Sequence, residues 1–289
     1  MQPNFAKNLL GFCLLAYAIG CLTLAVLLSQ HLRFAVDPND FRLSDLNTET
    51  QLPEFTAIEQ TPERKQAFLE LLLPLVEEKN RAVLKNRSLI VKLQQQLNDG
   101  EELSERQYEL LERLRERYRV SHEVYPDTAK AIEILLLRAD MLPTSMVLAQ
   151  AAVESGWGTS RFAVEAHNLF GQWCYSPGCG LVPEQRARGA RHEVQKFSSV
   201  EESLNAYFIN INSHSAYREL RQLRAQLRDQ DAGLTGAALV AGLSRYSSRG
   251  SAYIEELRSV IRVNSLENLN SDSLKVAANE TAEESLPQD

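Results

Sequence analysis

Residues 143–158 carry one charge in sixteen positions, the carboxylate of Glu154, and this run constrains the fold more than any other part of the chain. Pro143-Thr144 opens a helix over residues 145–155, and Gly156 and Gly158 stop it on either side of Trp157. Ala149, Ala151 and Ala152 let neighbouring elements approach it closely. Glu154 falls in the last turn and faces the negative end of the helix dipole, which is unfavourable by roughly 0.3–1 kcal/mol. The dipole and the uncharged surroundings both raise the pKa of a carboxyl placed there. A carboxyl that keeps its proton near neutrality is what a glycosidase uses to protonate a leaving oxygen. The plain alternative is a solvated glutamate at a helix end, and Trp157 beside it favours a sugar-binding cleft because such clefts use aromatic faces.

Helical patterning surrounds this segment. Thr61 reads as an N-cap, followed by Pro62 and Glu63, and Phe68, Leu71, Leu72, Leu75 and Val76 recur at three-to-four spacing. Pro74 is expected to kink or divide that helix before a second stretch ends at Asn98-Asp99-Gly100. Ser104 with Gln107 predicts a capping box. Further helices are expected over 128–140, from Ser198-Ser199 onward, over 234–243 and over 253–263. Residues 170–197 break into short apolar fragments between Gly and Pro and read as turns and a small hairpin.

At 289 residues the chain can bury one sizeable core. Of its net charge of -7, residues 266–289 hold -5, so the remainder is nearly neutral. That balance lacks the basic face nucleic acid requires. Residues 9–28 contain no charge and have the length of a membrane-spanning helix, since about 20 residues at about 1.5 Å each match a hydrocarbon core of about 30 Å. The expected layout is a cytoplasmic N-terminus and transmembrane anchor over 1–30 and a linker over 31–58. A helical layer over 59–125, a catalytic domain over 126–264 and an acidic disordered tail over 265–289 follow. Cys174 and Cys179 flank a Pro177-Gly178 turn, which leaves a disulfide, free thiols or a metal pair open.

Glu154-Ser155-Gly156-Trp157-Gly158-Thr159-Ser160 with Asn168-Leu169-Phe170-Gly171 resembles the core signature of the glucosaminidase-type peptidoglycan hydrolases, a lysozyme-superfamily group. Ser244-Arg245-Tyr246-Ser247 before Tyr253-Ile254 resembles the segment preceding that group's final helix. The strings at 142–147 and 61–65, with the cysteine pair, resemble one bacterial branch of it. The resemblance implies a mainly α, lysozyme-like helical domain with a small β-hairpin lobe. It also implies cleavage of the β-1,4 bond after N-acetylglucosamine, with no metal or cofactor. Glu154 would be the general acid, Tyr246 would lie opposite it, and Gln150, Trp157, Asn168, Phe170 and Trp173 would line the groove. Glu193 is the first candidate for a second carboxylate; without one, the substrate's own N-acetyl oxygen would attack. A lytic transglycosylase and a non-catalytic glycan-binding or morphogenesis protein are the alternatives. His192 and His214 read as surface residues. Peptidoglycan as partner puts the domain in the periplasm, held to the inner membrane by a single pass.

Overall fold

The computed structural model describes residues 50–270, apart from 51, 185, 187, 188, 231 and 232. The expected anchor, most of the expected linker and the tail from 271 lie outside the described residues. Among the described residues, no helix is long and apolar enough to cross a membrane. The α-helices are α1 (Thr61–Asn98), α2 (Glu105–Arg117), α3 (Thr128–Arg138), α4 (Thr144–Ser155), α5 (Arg161–Ala166), α6 (Val200–Ser213), α7 (Arg218–Asp229), α8 (Gly236–Leu239) and α9 (Ser251–Val263). Strands β1 (Trp173–Cys174), β2 (Gly180–Leu181) and β3 (Glu193–Gln195) form one small antiparallel sheet in the order β1-β3-β2. The lobe is therefore three-stranded rather than a simple hairpin: Trp173 and Leu181 both pair with Val194, one from each side.

Pro74 does not divide α1, which runs unbroken for 38 residues. An internal proline costs about 3 kcal/mol or more. Burial of Leu72, Leu75 and Val76 around it offsets this, at about 1.5–3 kcal/mol for each large aliphatic side chain. Glu70, whose carbonyl loses its partner, is exposed, so water can take that bond. Helix α1 starts one residue earlier than its sequence cap suggests, with Gln60 as N-cap and Thr61 as its first residue. At α2 the Gln107 carboxamide accepts the Ser104 backbone N–H at 2.8 Å, as the capping box requires.

One large core cluster joins α1 to the later helices. Phe68, Leu72, Val76 and Val83 of α1 pack with Met146, Leu148 and Ala152 of α4, Leu204 and Phe208 of α6, and Leu257 and Ile261 of α9. The first half of α1 therefore shares a core with the segment after residue 141, while Leu84 and Met141 form a separate small cluster. Helix α7 was not expected from sequence, although Leu220, Leu223 and Leu227 recur at helical spacing; Arg221 and Arg224 are buried on the same element beside Leu220.

Two polar devices fix where α4 begins. In the turn before it, the Asp140 carboxylate is 3% exposed and meets Arg228 at 2.6 Å, Arg87 at 3.6 Å and Arg224 at 3.6 Å. Burial alone would raise its pKa, but the three guanidinium groups hold it below the usual carboxylate range. Asn80 of α1 closes the same turn by bonding both the carbonyl and the N–H of Leu142. The second device corrects the expected tail. Residues 266–269 form a 3-10 turn with Leu266 fully buried. The N-cap of α4 is Pro143, which offers no capping side chain. Asn270 supplies it instead, accepting the Ser145 N–H at 3.0 Å, while Glu267 accepts the Ser145 hydroxyl and the Ala237 N–H.

Candidate active site

Helix α4 ends in three consecutive left-handed residues, Gly156, Trp157 and Gly158, with φ of 59°, 58° and 80°. Trp157 pays the steric cost of that conformation, roughly 1–2 kcal/mol, and holds it through packing. Its ring meets Phe68 edge-on at 5.7 Å, and the Lys65 ammonium lies 4.8 Å from the ring centroid. Gly158 has no substitute, because a Cβ there would lie 2.4 Å from the Phe55 ring. Residues from the first two helical turns of α1 and the segment before it thus hold the end of α4.

That end presents Glu154, half-buried. Burial raises its pKa, opposed by a hydrogen bond from Tyr253 and by the charge of Arg249, while Glu256 pushes the same way as burial. Gly171 faces the carboxylate: a Cβ at that position would lie 3.1 Å from Oε2. The turn carrying Gly171 is held from both sides. Asn168 donates to the carbonyls of Gln172 and Gln195 and accepts the N–H groups of Phe170 and Gln172. Tyr246 donates its hydroxyl to the Phe170 carbonyl at 2.6 Å and lies parallel to Tyr253, with ring centroids 5.7 Å apart. Tyr207 and Tyr246 have hydroxyl pKa values well above the ordinary range, first through burial and also through the charge of Glu154. They stay protonated as donors.

Three residues expected to line a groove are instead buried and fully occupied. Gln150 is bonded to Tyr207 and Tyr253, Asn168 fixes the turn, and the Phe170 ring stacks on Tyr207 at 4.1 Å. Each turns inward because its polar or aromatic group finds its partners in the core. Trp157 is engaged by Phe68 and Lys65 rather than standing free as a platform. Trp173 differs: it is 54% exposed and stacks on His192 with centroids 4.0 Å apart, so His192 is a stacking partner rather than an isolated surface residue. Tyr253 and Tyr207, which sequence reasoning did not single out for the site, have no local signature. Each reads as an apolar-face residue of its own helix.

Cys174 and Cys179 are joined as a disulfide, which resolves the three open readings and removes both thiolates as metal donors. Glu193 is fastened to the loop they close. Its two oxygens accept the N–H groups of Gly178 at 3.1 Å and Gly180 at 2.9 Å, and these bonds lower its pKa. Replacing both cysteines by serine should lower the opening free energy of this lobe by about 2 kcal/mol, the loop-closure entropy of so short a ring. Amide hydrogen exchange of residues 174–195 measures it, and unchanged exchange would show that the disulfide is not the lobe's staple.

The chain is thus a mainly helical domain that sets a half-buried carboxyl at a helix end among tyrosines, beside a small β lobe, and the family match that follows makes its class glycosidase-type. Residues 129–266 match the glucosaminidase family, described as mannosyl-glycoprotein endo-beta-N-acetylglucosaminidase. Protein bax of Escherichia coli (strain K12) is 35% identical over 206 residues, covering 71% of each chain. The chain belongs to the glucosaminidase family, in a branch close to bax. No solved structure matches it.

Proposed function

We propose that the protein hydrolyses the β-1,4 bond after N-acetylglucosamine in the glycan strands of peptidoglycan, with Glu154 as general acid. The observation that carries this reading is the raised pKa of Glu154 at the closed end of α4. Glu154 gives its proton to the glycosidic oxygen as the bond to the anomeric carbon breaks and the bonding pair leaves with that oxygen. The Glu193 oxygens are committed to the Gly178 and Gly180 amides. The N-acetyl oxygen of the substrate therefore attacks the anomeric carbon. Water then opens the resulting ring and returns a proton to Glu154. Tyr246 acts through the Phe170–Gly171 backbone it holds against Glu154, and Trp173 offers an exposed face on which a sugar ring can stack.

The disulfide supports a location outside the cytoplasm, where such bonds persist. With the uncharged run at residues 9–28, it supports a single-pass protein of the inner membrane whose domain lies in the periplasm. Mass spectrometry of muropeptides after digestion of purified sacculi tests the reading. Products carrying an added water and a reducing-end N-acetylglucosamine are expected. Anhydro-sugars would overturn hydrolysis in favour of transglycosylation, and undigested strands would overturn the enzymatic reading.

A further inference from the structure

Behind Glu154 runs a line of three buried polar side chains that take no direct part in the proposed reaction. Gln150 lies one turn before Glu154 on α4, Tyr207 comes from α6 and Tyr253 from α9, and their exposures are 0%, 0% and 1%. The Tyr207 hydroxyl donates to Gln150 Oε1, and Gln150 Nε2 donates to the Tyr253 hydroxyl oxygen at 3.0 Å. A neutral carboxamide has one accepting and one donating end. With Tyr207 on its oxygen, the amide turns its nitrogen toward Tyr253. The Tyr253 oxygen accepts that bond, so its own hydrogen is left for the Glu154 carboxylate, to which it is hydrogen-bonded. Rotating the amide by half a turn would reverse each bond and make Tyr253 a donor to Gln150, taking the donor away from Glu154.

We propose that Gln150 and Tyr207 are positioning residues that hold the Tyr253 hydroxyl as a fixed donor to Glu154, so that the carboxylate left after proton transfer to the sugar is met by a hydrogen bond already in place. Tyr253 keeps its own proton throughout, and the line carries no net transfer. The inference rests on Glu154 being the general acid. Bonds that need no reorganisation when charge appears are the efficient kind in a water-poor site.

The other groups around Glu154 leave this role to Tyr253. Arg249, from the loop before α9, and Glu256, on α9, act on it in opposite directions and pair with each other. Tyr246, Tyr217 and Tyr207 face it as neutral phenols.

The test is the pH dependence of kcat/KM for the full chain acting on purified sacculi, with Tyr253→Phe, Tyr207→Phe and Glu154→Gln beside the parent. Tyr253→Phe should move the alkaline limb to higher pH by about one unit and lower kcat about tenfold with little change in KM, because a lost bond to the charged form favours the protonated one. Tyr207→Phe, which removes one fully buried oxygen atom, should move the limb the same way by a smaller amount. Limbs that stay in place in both variants overturn the proposal even if kcat falls, since a merely structural role changes rate without moving the limb. Should either variant melt early, carboxyl NMR titration of Glu154 in the other decides the matter: a pKa equal to the parent's overturns it. Full activity in Glu154→Gln would instead overturn the underlying reading of the acid.

Discussion

Glu154→Gln should lower the release of reducing ends from purified sacculi by about 10²–10⁴-fold, the contribution typical of a positioned general acid. The amide keeps the shape and can still accept the Tyr253 hydrogen bond, but has no proton to give. Loss of activity should come without loss of fold. The raised pKa of Glu154 means that the native state retains a proton that the unfolded chain releases near its ordinary value of about 4.3. Between that value and the higher native one, the native state binds more protons, so stability falls as pH rises through this window. Glutamine removes the dependence. The variant should therefore melt at a higher temperature than the parent at pH values above the window and lose that advantage below it. Calorimetry at acidic and neutral pH, alongside the sacculus assay, checks both halves. A variant that is inactive and also unfolded would not identify the acid, and one with parental activity would refute it.

Asp140→Asn should cost about 3–5 kcal/mol of unfolding free energy, the range for removing one partner of a buried ion cluster. The loss leaves Arg224, 1% exposed, with its charge uncompensated in the core and its pKa already pushed down to about 10 by burial. Arg224→Lys should not be a mild change either. One guanidinium donates to the carbonyls of Leu137, Asp140 and Met141 and to the Asn212 side chain, which a single ammonium cannot reproduce. The depressed pKa of Asp140 sets the sign with pH: its stabilisation is present above the unfolded carboxylate pKa and is lost as pH falls through the lower native value. Urea unfolding at neutral pH measures the effect, and a change below 1 kcal/mol would mean that the cluster does not anchor the turn before α4.

These two residues differ in how they announce themselves. Glu154 stands alone in an uncharged run that ends at glycines, so its helix, its place in the last turn and the direction of its pKa follow from neighbours within a few positions. Asp140 looks like any acidic residue in a turn. Its partners lie 53, 84 and 88 positions away, at Arg87, Arg224 and Arg228. The same division runs through the site. The resemblance drew attention to Gln150, Asn168 and Phe170, but their side chains turn inward, and only the packing of α4, α6 and α9 tells an inward glutamine from a groove-lining one.

By itself the sequence determined the helical class, the stop of α4 at Gly156 and Gly158, the position of Glu154 and the membership of the glucosaminidase family. Each of these depends on short-range backbone preference or on strings of adjacent residues. Only the tertiary structure decided that Tyr253 bonds Glu154, that Gln150 and Tyr207 stand behind it, that Glu193 is tied to the disulfide loop, and that Asn270 caps the start of α4. Those contacts join residues from 13 to 125 positions apart. A hydrogen bond is made or lost within a few tenths of an ångström, a distance that chain order leaves free and core packing fixes.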